Sequence, residues 1–524
     1  MKKNYPNRNI DVCLITTSDM NLGVRSLSSF LKQKGYRVTI GFFDSWGMYT
    51  PQELQSIVSW FREIDPRVIG ISPVEFSRDK TIQLLAAIKR EGKFVIAGGV
   101  DATLNPSFYA PYVDYIVRGE GEEALAELVS ALFECRETKS IPNVLSTSES
   151  GATAVSHLRP LVQSLDILPF EDWLDVEHHF ELSRGAVKQK QDFALEIDNP
   201  LVPYRKGILQ FTVRGCSFDC SYCVSAITKL LNPGETFVRM RSVQAIIGRV
   251  EQLFRADPTI EMVYFFEDDF FLRSADEIRE FAEGWKQRVA LPFFVQGAPF
   301  TITEEKLTRL IDAGLVSIGV GIQTGSERTN RVVYNRNARN ETTLKTARLL
   351  NRYIGCGRFS LRPPSYDFII NNPYEKDNDL LETVEFLKRL PKPYYTRMIS
   401  LVFFQGILLY QQALRDGILT GKDESSKYNV HDTLKHFDRL VERGGHYYLN
   451  SLLYWMNGRH GEGWYGIIPA VLLDVLYSRK VVRLISACPR LIAFLNRILP
   501  TQKKVENARW LLKKRLSWLT VRHY

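Results

Sequence analysis

Phe211–Cys223 reads FTVRGCSFDCSYC, and the rest of the chain is laid out around it. Three of the seven cysteines, Cys216, Cys220 and Cys223, stand here at the spacing C-x3-C-x2-C. The run Ile208–Val213 before them is apolar and rich in strand-forming residues, so it reads as a buried β-strand. Arg214-Gly215 ends that strand and leaves the cysteines on the loop beyond it. Three thiolates on one short loop can each take one iron of a cubane iron–sulfur cluster, and the fourth iron is then free to bind and reduce a substrate.

A structural zinc site takes four ligands, usually as two spaced pairs. No other cysteine or histidine lies near enough in sequence to complete one, although a distant residue could. An odd cysteine count and the lack of a secretory signal argue against disulfides. The spacing, with Tyr222 just before the third cysteine, resembles the radical S-adenosylmethionine (SAM) superfamily.

At 524 residues, with 45% hydrophobic and 24% charged side chains, the chain has the composition of a globular protein of two or three domains. Basic residues near the N-terminus precede only a short apolar run, Ile10–Thr17, which reads as a first strand. No apolar stretch approaches the ~20 residues of a membrane span, so the expected compartment is a reducing cytoplasm. The net charge of +9 is concentrated in one place. Arg479–Arg522 holds twelve Lys/Arg and one acid, Glu506, so the remaining residues sum to about −2.

From about 8 to 140, strands predicted at Ile10–Thr17, Tyr36–Phe43, Arg67–Ser72, Lys93–Ala97 and Tyr115–Val117 alternate with helices at Gly23–Lys34, Pro51–Glu63 and Lys80–Glu91. The pattern predicts a doubly wound parallel sheet, of flavodoxin or Rossmann type, with ligands bound beyond the carboxyl ends of its strands. The order LGVRSLSSFLKQKGYRV, IGIS, AGGVDATLNP, VRGEGEEAL and then RGC-x3-C-x2-C resembles the cobalamin-binding radical SAM enzymes from about Asp11 to Tyr410. The resemblance implies cobalamin contacts at Thr17, Ser72, Val74, Gly98, Gly99, Thr103, Gly119, Glu120 and Gly121. Domains that ligate cobalt through histidine carry D-x-H-x-x-G after the first strand. The corresponding stretch here is Asp19-Met-Asn-Leu-Gly23, and Met1–Ser156 contains no histidine. If cobalamin binds, its cobalt is therefore expected to be five-coordinate or water-ligated.

Residues 141–206 read as a linker with a hairpin and one short helix, in which Leu161–Trp173 resembles the family's connecting segment and His178-His179 reads as an exposed pair. From 207 to 410, strands at Ile208–Val213, Ile260–Phe266, Phe293–Gln296, Val316–Ile322, Tyr366–Ile370 and Arg397–Phe403 alternate with five helices, which predicts a partial (β/α)6 barrel of TIM type. Glu267-Asp268-Asp269 and Gly321–Ser326 (GIQTGS) fall at strand ends. Tyr222, Asp268, Gln323 and Ser326 are the expected SAM contacts, with a helix cap or turn as the competing role for the strand-end residues Asp268, Gln323 and Ser326. Asp367–Glu375 resembles the family's strand behind the adenine. Leu401–Tyr410 resembles a segment usually reading FFPGT-x-LY, with Gln405 and Ile407 in place of the proline and threonine.

Residues 411–524 read as a basic helical region. It serves either as a cap on the barrel or as an interfacial helix that touches the inner face of a membrane. No nucleic-acid-binding module accompanies the charge.

The resemblance implies a [4Fe–4S] cluster on the three cysteines, SAM and cobalamin, with an electron donor such as flavodoxin or ferredoxin. The implied reaction transfers a methyl group to an unactivated carbon of a small-molecule or lipid-linked substrate. Ring formation or rearrangement with the same cofactors is one alternative, and a non-catalytic redox or corrinoid-sensing protein is another.

Overall fold

The structure is a computed structural model. It describes residues 10–419 apart from 45–46, 75–76, 148–156 and 197–202, together with Ser478, Lys480 and Val481. The helices expected in the basic tail lie outside the described residues, and no described helix is long and apolar enough to cross a membrane.

The first unit runs β1 (Val12–Thr16), α1 (Leu22–Gln33), β2 (Val38–Phe42), α2 (Pro51–Ile64), β3 (Val68–Ser72), α3 (Arg78–Ile88), β4 (Phe94–Ala97), α4 (Gly99–Leu104), α5 (Pro106–Tyr109), β5 (Tyr115–Val117) and α6 (Glu122–Phe133). Helices cover both faces of the sheet, so β1 and β2 are buried at every position. Helix starts follow local chemistry. Asn21 caps α1 through the Val24 amide, and Thr50 with Glu53 forms a capping box ahead of Pro51 on α2. The parallel strands lie in the order β5-β4-β3-β1-β2, the expected doubly wound arrangement.

The segment expected to be a linker is built into both sheets. β6 (Val144–Ser146) pairs antiparallel with β5, while β7 (His179–Ser183) pairs with β2 and turns back as β8 (Ala186–Gln189). β9 (Leu195–Glu196) edges the second sheet. The expected hairpin is present, but its backbone groups are satisfied by sheet edges instead of by solvent. The expectation of an exposed histidine pair is therefore corrected. His179 is buried on β7, with Nε2 3.4 Å from Asp172, and His178 Nδ1 lies 2.8 Å from Asp175.

The second unit begins with β10 (Lys206–Gln210). Chain geometry then departs from the single strand expected over Ile208–Val213: Thr212 donates its amide to Glu267, and β11 (Val213–Arg214) leaves the sheet to pair with β12 (Arg239–Met240). Between them lies α7 (Val224–Leu230). The alternation continues through α8 (Val243–Ala256), β13 (Met262–Phe265), α9 (Ala275–Arg288), β14 (Phe293–Gly297), α10 (Glu304–Ala313), β15 (Leu315–Gln323), α11 (Asn340–Arg352), β16 (Ser365–Ile370), α12 (Asp377–Arg389), β17 (Tyr395–Ser400) and α13 (Leu408–Arg415). The order β9-β10-β13-β14-β15-β16-β17 contains six consecutive parallel strands, an open half-barrel.

The GIQTGS turn and the loop after β16 are wired together. Thr324 donates to Glu375 at 2.8 Å, and Ser326 donates to Asp379 at 2.6 Å. Burial, helped by the charge of Asp379, pushes the Glu375 carboxyl up to about 8. A carboxyl raised on folding stabilises the fold fully below its unfolded value, and that contribution is lost as pH rises through the folded value. Stability is therefore expected to fall between about pH 5 and about pH 8, by up to about 1.4 kcal/mol per pH unit. Glu375→Gln keeps an acceptor for Thr324 and should flatten this slope in urea-midpoint measurements.

Candidate active site

Gly215 sits at φ +88, and a Cβ there would lie 2.2 Å from the Phe237 carbonyl, so only glycine lets the chain turn from β11 into the cysteine loop. The loop is then clamped from two sides. Ser221 donates its amide to Tyr334 and its hydroxyl to the Val333 carbonyl, and it accepts from the Leu409 amide. Tyr222 packs edge-on against Tyr334 at 4.8 Å. Cys223 caps α7, its Sγ accepting from the Ser225 amide at 3.5 Å.

Cys216 and Cys220 are buried and Cys223 is partly buried. Burial pushes the Cys216 thiol up to about 12 and also raises the other two, so iron must displace the thiol protons as the cluster assembles. Among the described residues, no three His, Cys, Asp or Glu side chains form a site for a single metal ion. A cubane does not need one, because each thiolate takes its own iron.

The three acids after β13 part company. Glu267 is buried against Thr212. Asp269 accepts from the Phe271 and Ala298 amides and the Thr301 hydroxyl, and burial pushes it up to about 6. Asp268 alone turns to the cysteine loop, accepting from the Ser225 hydroxyl at 3.0 Å, with its charge felt at Cys216 and Cys223. Gln323 ends β15 at φ +73, in a register shift against β16 that leaves it half-buried. Ser326 is fully buried, and its hydroxyl donates to Asp379 and accepts from the Thr329 amide, bracing the turn.

A cavity of about 770 Å³ opens between the two units. Ser72, Val74, Gly98, Gly99, Gly119, Glu120 and Gly121 line it. Thr17 and Thr103 do not. The Thr17 hydroxyl pairs with Ser77, and Thr103 bridges the Gly99 carbonyl to the Gly119 amide, so both shape the loops from behind. Gly99 stands at φ +85, where a Cβ would come 2.7 Å from Ser72 Oγ. On the side of the first unit, Leu14, Gly70, Ile96, Val117 and Leu125 of α6 also line it. Phe211, Val224, Phe266 and Phe404 form the opposite wall, next to the cysteine loop.

The lining fits cobalamin: the glycines Gly98, Gly99, Gly119 and Gly121 would let the flat corrin approach the backbone, and the apolar slot at Leu14, Gly70, Ile96, Val117 and Leu125 would take its nucleotide tail. Among the described residues, no histidine lines the cavity. Asn21, in the stretch where related domains carry histidine, is spent on Thr16, Ser72 and the α1 cap.

Several contributors escaped sequence reasoning. Arg336 is buried, donates one N–H to the Gly321 carbonyl, and leaves Nε and Nη1 without partners. It sits beside Cys220, where its positive charge opposes the effect of burial on the thiol. Glu171, from the connecting segment, lines the cavity with one oxygen unpartnered. Arg241 fixes that segment by donating to the carbonyls of Leu165, Leu168 and Pro169. In sequence these residues look like ordinary charges; burial is their signal, and for Arg336 and Glu171 burial with an atom left unpartnered.

Comparison with known proteins agrees with this geometry. The B12 binding domain model matches residues 18–129 and the radical SAM superfamily model matches residues 211–387. An uncharacterized methyltransferase of Pyrococcus horikoshii is 26% identical over 436 residues, covering 81% of this chain and 85% of that protein. The anaerobic magnesium-protoporphyrin IX monomethyl ester cyclase of Rubrivivax gelatinosus is 25% identical over 209 residues, covering 38% of this chain and 34% of that one. The radical SAM methyltransferase TsrM of Kitasatospora setae, solved with cobalamin and a [4Fe-4S] cluster, superposes with a TM-score of 0.57 at 18% identity, over 78% of this chain and 75% of that chain. The cobalamin-dependent SAM radical enzyme OxsB superposes with a TM-score of 0.56 at 18% identity, over 78% of this chain and 56% of that chain. With a B12-binding domain and a radical SAM domain facing one cavity, the chain belongs to the cobalamin-binding radical SAM enzymes.

Proposed function

We propose that the chain is a methyltransferase that places a methyl group on an unactivated carbon of a small molecule. The observation that carries this reading is the shared cavity, which brings the glycine loops of the first unit and the wall beside the cysteine loop into one space. When bound, the cluster with SAM supplies hydrogen abstraction and cobalamin supplies the methyl group. The chain holds the iron through Cys216, Cys220 and Cys223, presents Asp268 and Gln323 toward SAM, and seats the corrin on Gly98, Gly99, Gly119 and Gly121. Phe211, Phe266 and Phe404 give the cavity an apolar wall that excludes water. The Pyrococcus horikoshii relative, named a methyltransferase, supports the same reaction class.

The reading includes a flavodoxin- or ferredoxin-type donor in a reducing compartment and, through the basic tail, contact with an anionic membrane surface. Anaerobic reconstitution with SAM and methylcobalamin, followed by screening of host metabolite and lipid extracts, tests it. The expected product has gained one methyl group. Formation of 5′-deoxyadenosine with a product of unchanged carbon count would favour ring formation or rearrangement.

Two predictions follow from the site. Bound cob(II)alamin should show no nitrogen superhyperfine splitting from a protein ligand in its electron paramagnetic resonance spectrum, because no histidine lines the cavity among the described residues. Such splitting would mean that a histidine from elsewhere reaches the lower face. Arg336→Gln should make the cluster harder to reduce, since it removes a buried positive charge beside Cys220. The expected change in the reduction equilibrium is about tenfold, or about 59 mV for one electron, read by redox titration.

A further inference from the structure

The ribbon that runs into Cys216 sets Arg214 opposite Arg239. Two guanidinium groups side by side repel each other unless an anion lies between them. That anion is Glu120, from the glycine-rich loop after β5 of the first unit. Its Oε1 accepts from Arg214 Nη1 at 3.1 Å and from Arg239 Nη1 at 2.9 Å. Its Oε2 accepts from the Val162 amide of the connecting segment at 3.1 Å. Glu122 takes the other arm of Arg214 at 2.5 Å and the Ser26 hydroxyl at 2.9 Å. Burial alone would push Glu122 up, but the charge and hydrogen bond of Arg214 outweigh it and hold the carboxylate below the usual range. Arg239 and Glu122 are nearly inaccessible and Arg214 and Glu120 about one-fifth exposed, so solvent screens the network only weakly.

We propose that Glu120 and Glu122, with Arg214 and Arg239, are positioning residues that set the distance and tilt between the cobalamin seat and the cluster loop. Glu120 lines the cavity, yet both its oxygens are spent on the barrel ribbon and the connecting segment, so its task is to join the walls. A second attachment involves Gln405. It accepts from Arg78 Nη1 at 2.9 Å, and its carbonyl accepts from Asn105 Nδ2 at 3.0 Å. Two attachments between the units resist rotation in a way one cannot. The need for this is chemical: a misplacement of about 1 Å between reacting groups can cost about a hundredfold in rate.

The proposal rests on the reading that both cofactors bind, and its test separates the two. The variants are Glu120→Gln, which keeps the shape and removes the charge, and the double variant Glu120→Ala/Glu122→Ala. In the apo chain, both should speed hydrogen exchange at the Val162 amide by about tenfold or more, since that N–H loses a charged acceptor. In protein loaded with cluster and cob(II)alamin, pulsed electron paramagnetic resonance should show the cluster-to-cobalt distance distribution widening by about twofold in the double variant. One cluster and one cobalamin should remain bound per chain. Unchanged Val162 exchange or an unchanged distribution overturns the proposal, and if the double variant does not fold, Glu120→Gln decides. Wild-type protein that binds no cobalamin overturns the cofactor reading instead, while Val162 exchange, which needs no cofactor, still tests the network.

Discussion

Replacement of Cys216, Cys220 and Cys223 together by alanine is expected to abolish the iron–sulfur absorbance and all reductive cleavage of SAM. The three thiols share one loop whose backbone is held by Tyr334, Val333 and Leu409, so the loop itself should survive the loss of its sulfurs. Circular dichroism and thermal unfolding should therefore change little. Alanine at Cys13, Cys135 or Cys356 should leave both cluster and cleavage in place. Cys135 and Cys356 are exposed, and Cys13 is buried within β1, where its replacement removes only packing. Cys488 lies outside the described residues, and its replacement is expected to be equally silent. Loss of the cluster in Cys356→Ala would show that a fourth protein ligand closes the site, leaving no iron open to SAM.

The second large effect concerns the slot. Gly70 lies mid-strand in β3 and lines the cavity, and a Cβ placed there would come 2.8 Å from Leu14 Cδ2, the movable end of a flexible side chain. Gly70→Phe can therefore be accommodated by a rotation of Leu14, at an overpacking cost of about 1–3 kcal/mol. Its ring would fill the space assigned to the nucleotide tail. Cobalamin binding is expected to weaken about a hundredfold or more, roughly 2.8 kcal/mol, in equilibrium dialysis. Cluster absorbance and SAM cleavage should persist, because the cysteine loop belongs to the other unit. Unchanged cobalamin affinity in a folded Gly70→Phe protein would mean that the tail does not enter this slot.

Both effects are anchored in features legible in one dimension. The cysteine spacing places three ligands on one loop whatever the rest of the chain does. The alternation of strands and helices reveals two α/β units because side-chain periodicity is a property of near neighbours. Even the absence of a histidine ligand in the first unit is a statement about composition. What the sequence could not convey is how side chains are spent. Thr17, Thr103 and Ser326 sit in the right motifs, yet their hydroxyls are consumed by Ser77, by the Gly99 carbonyl and by Asp379. Asp268 and its two acidic neighbours are equivalent on paper, and only the path of the loop after β13 turns one of them toward the cysteines. The connecting segment reads as a linker with a hairpin and one short helix, and only the fold shows that its short runs pair with open sheet edges. Glu120 and Arg214 are far apart in sequence, and their pairing needs both sheets to be in place. Spacing and periodicity are local and survive projection onto a line. Hydrogen bonding and charge pairing act over a few ångströms in space, so the fold alone decided which of these groups hold the structure and which remain free for chemistry.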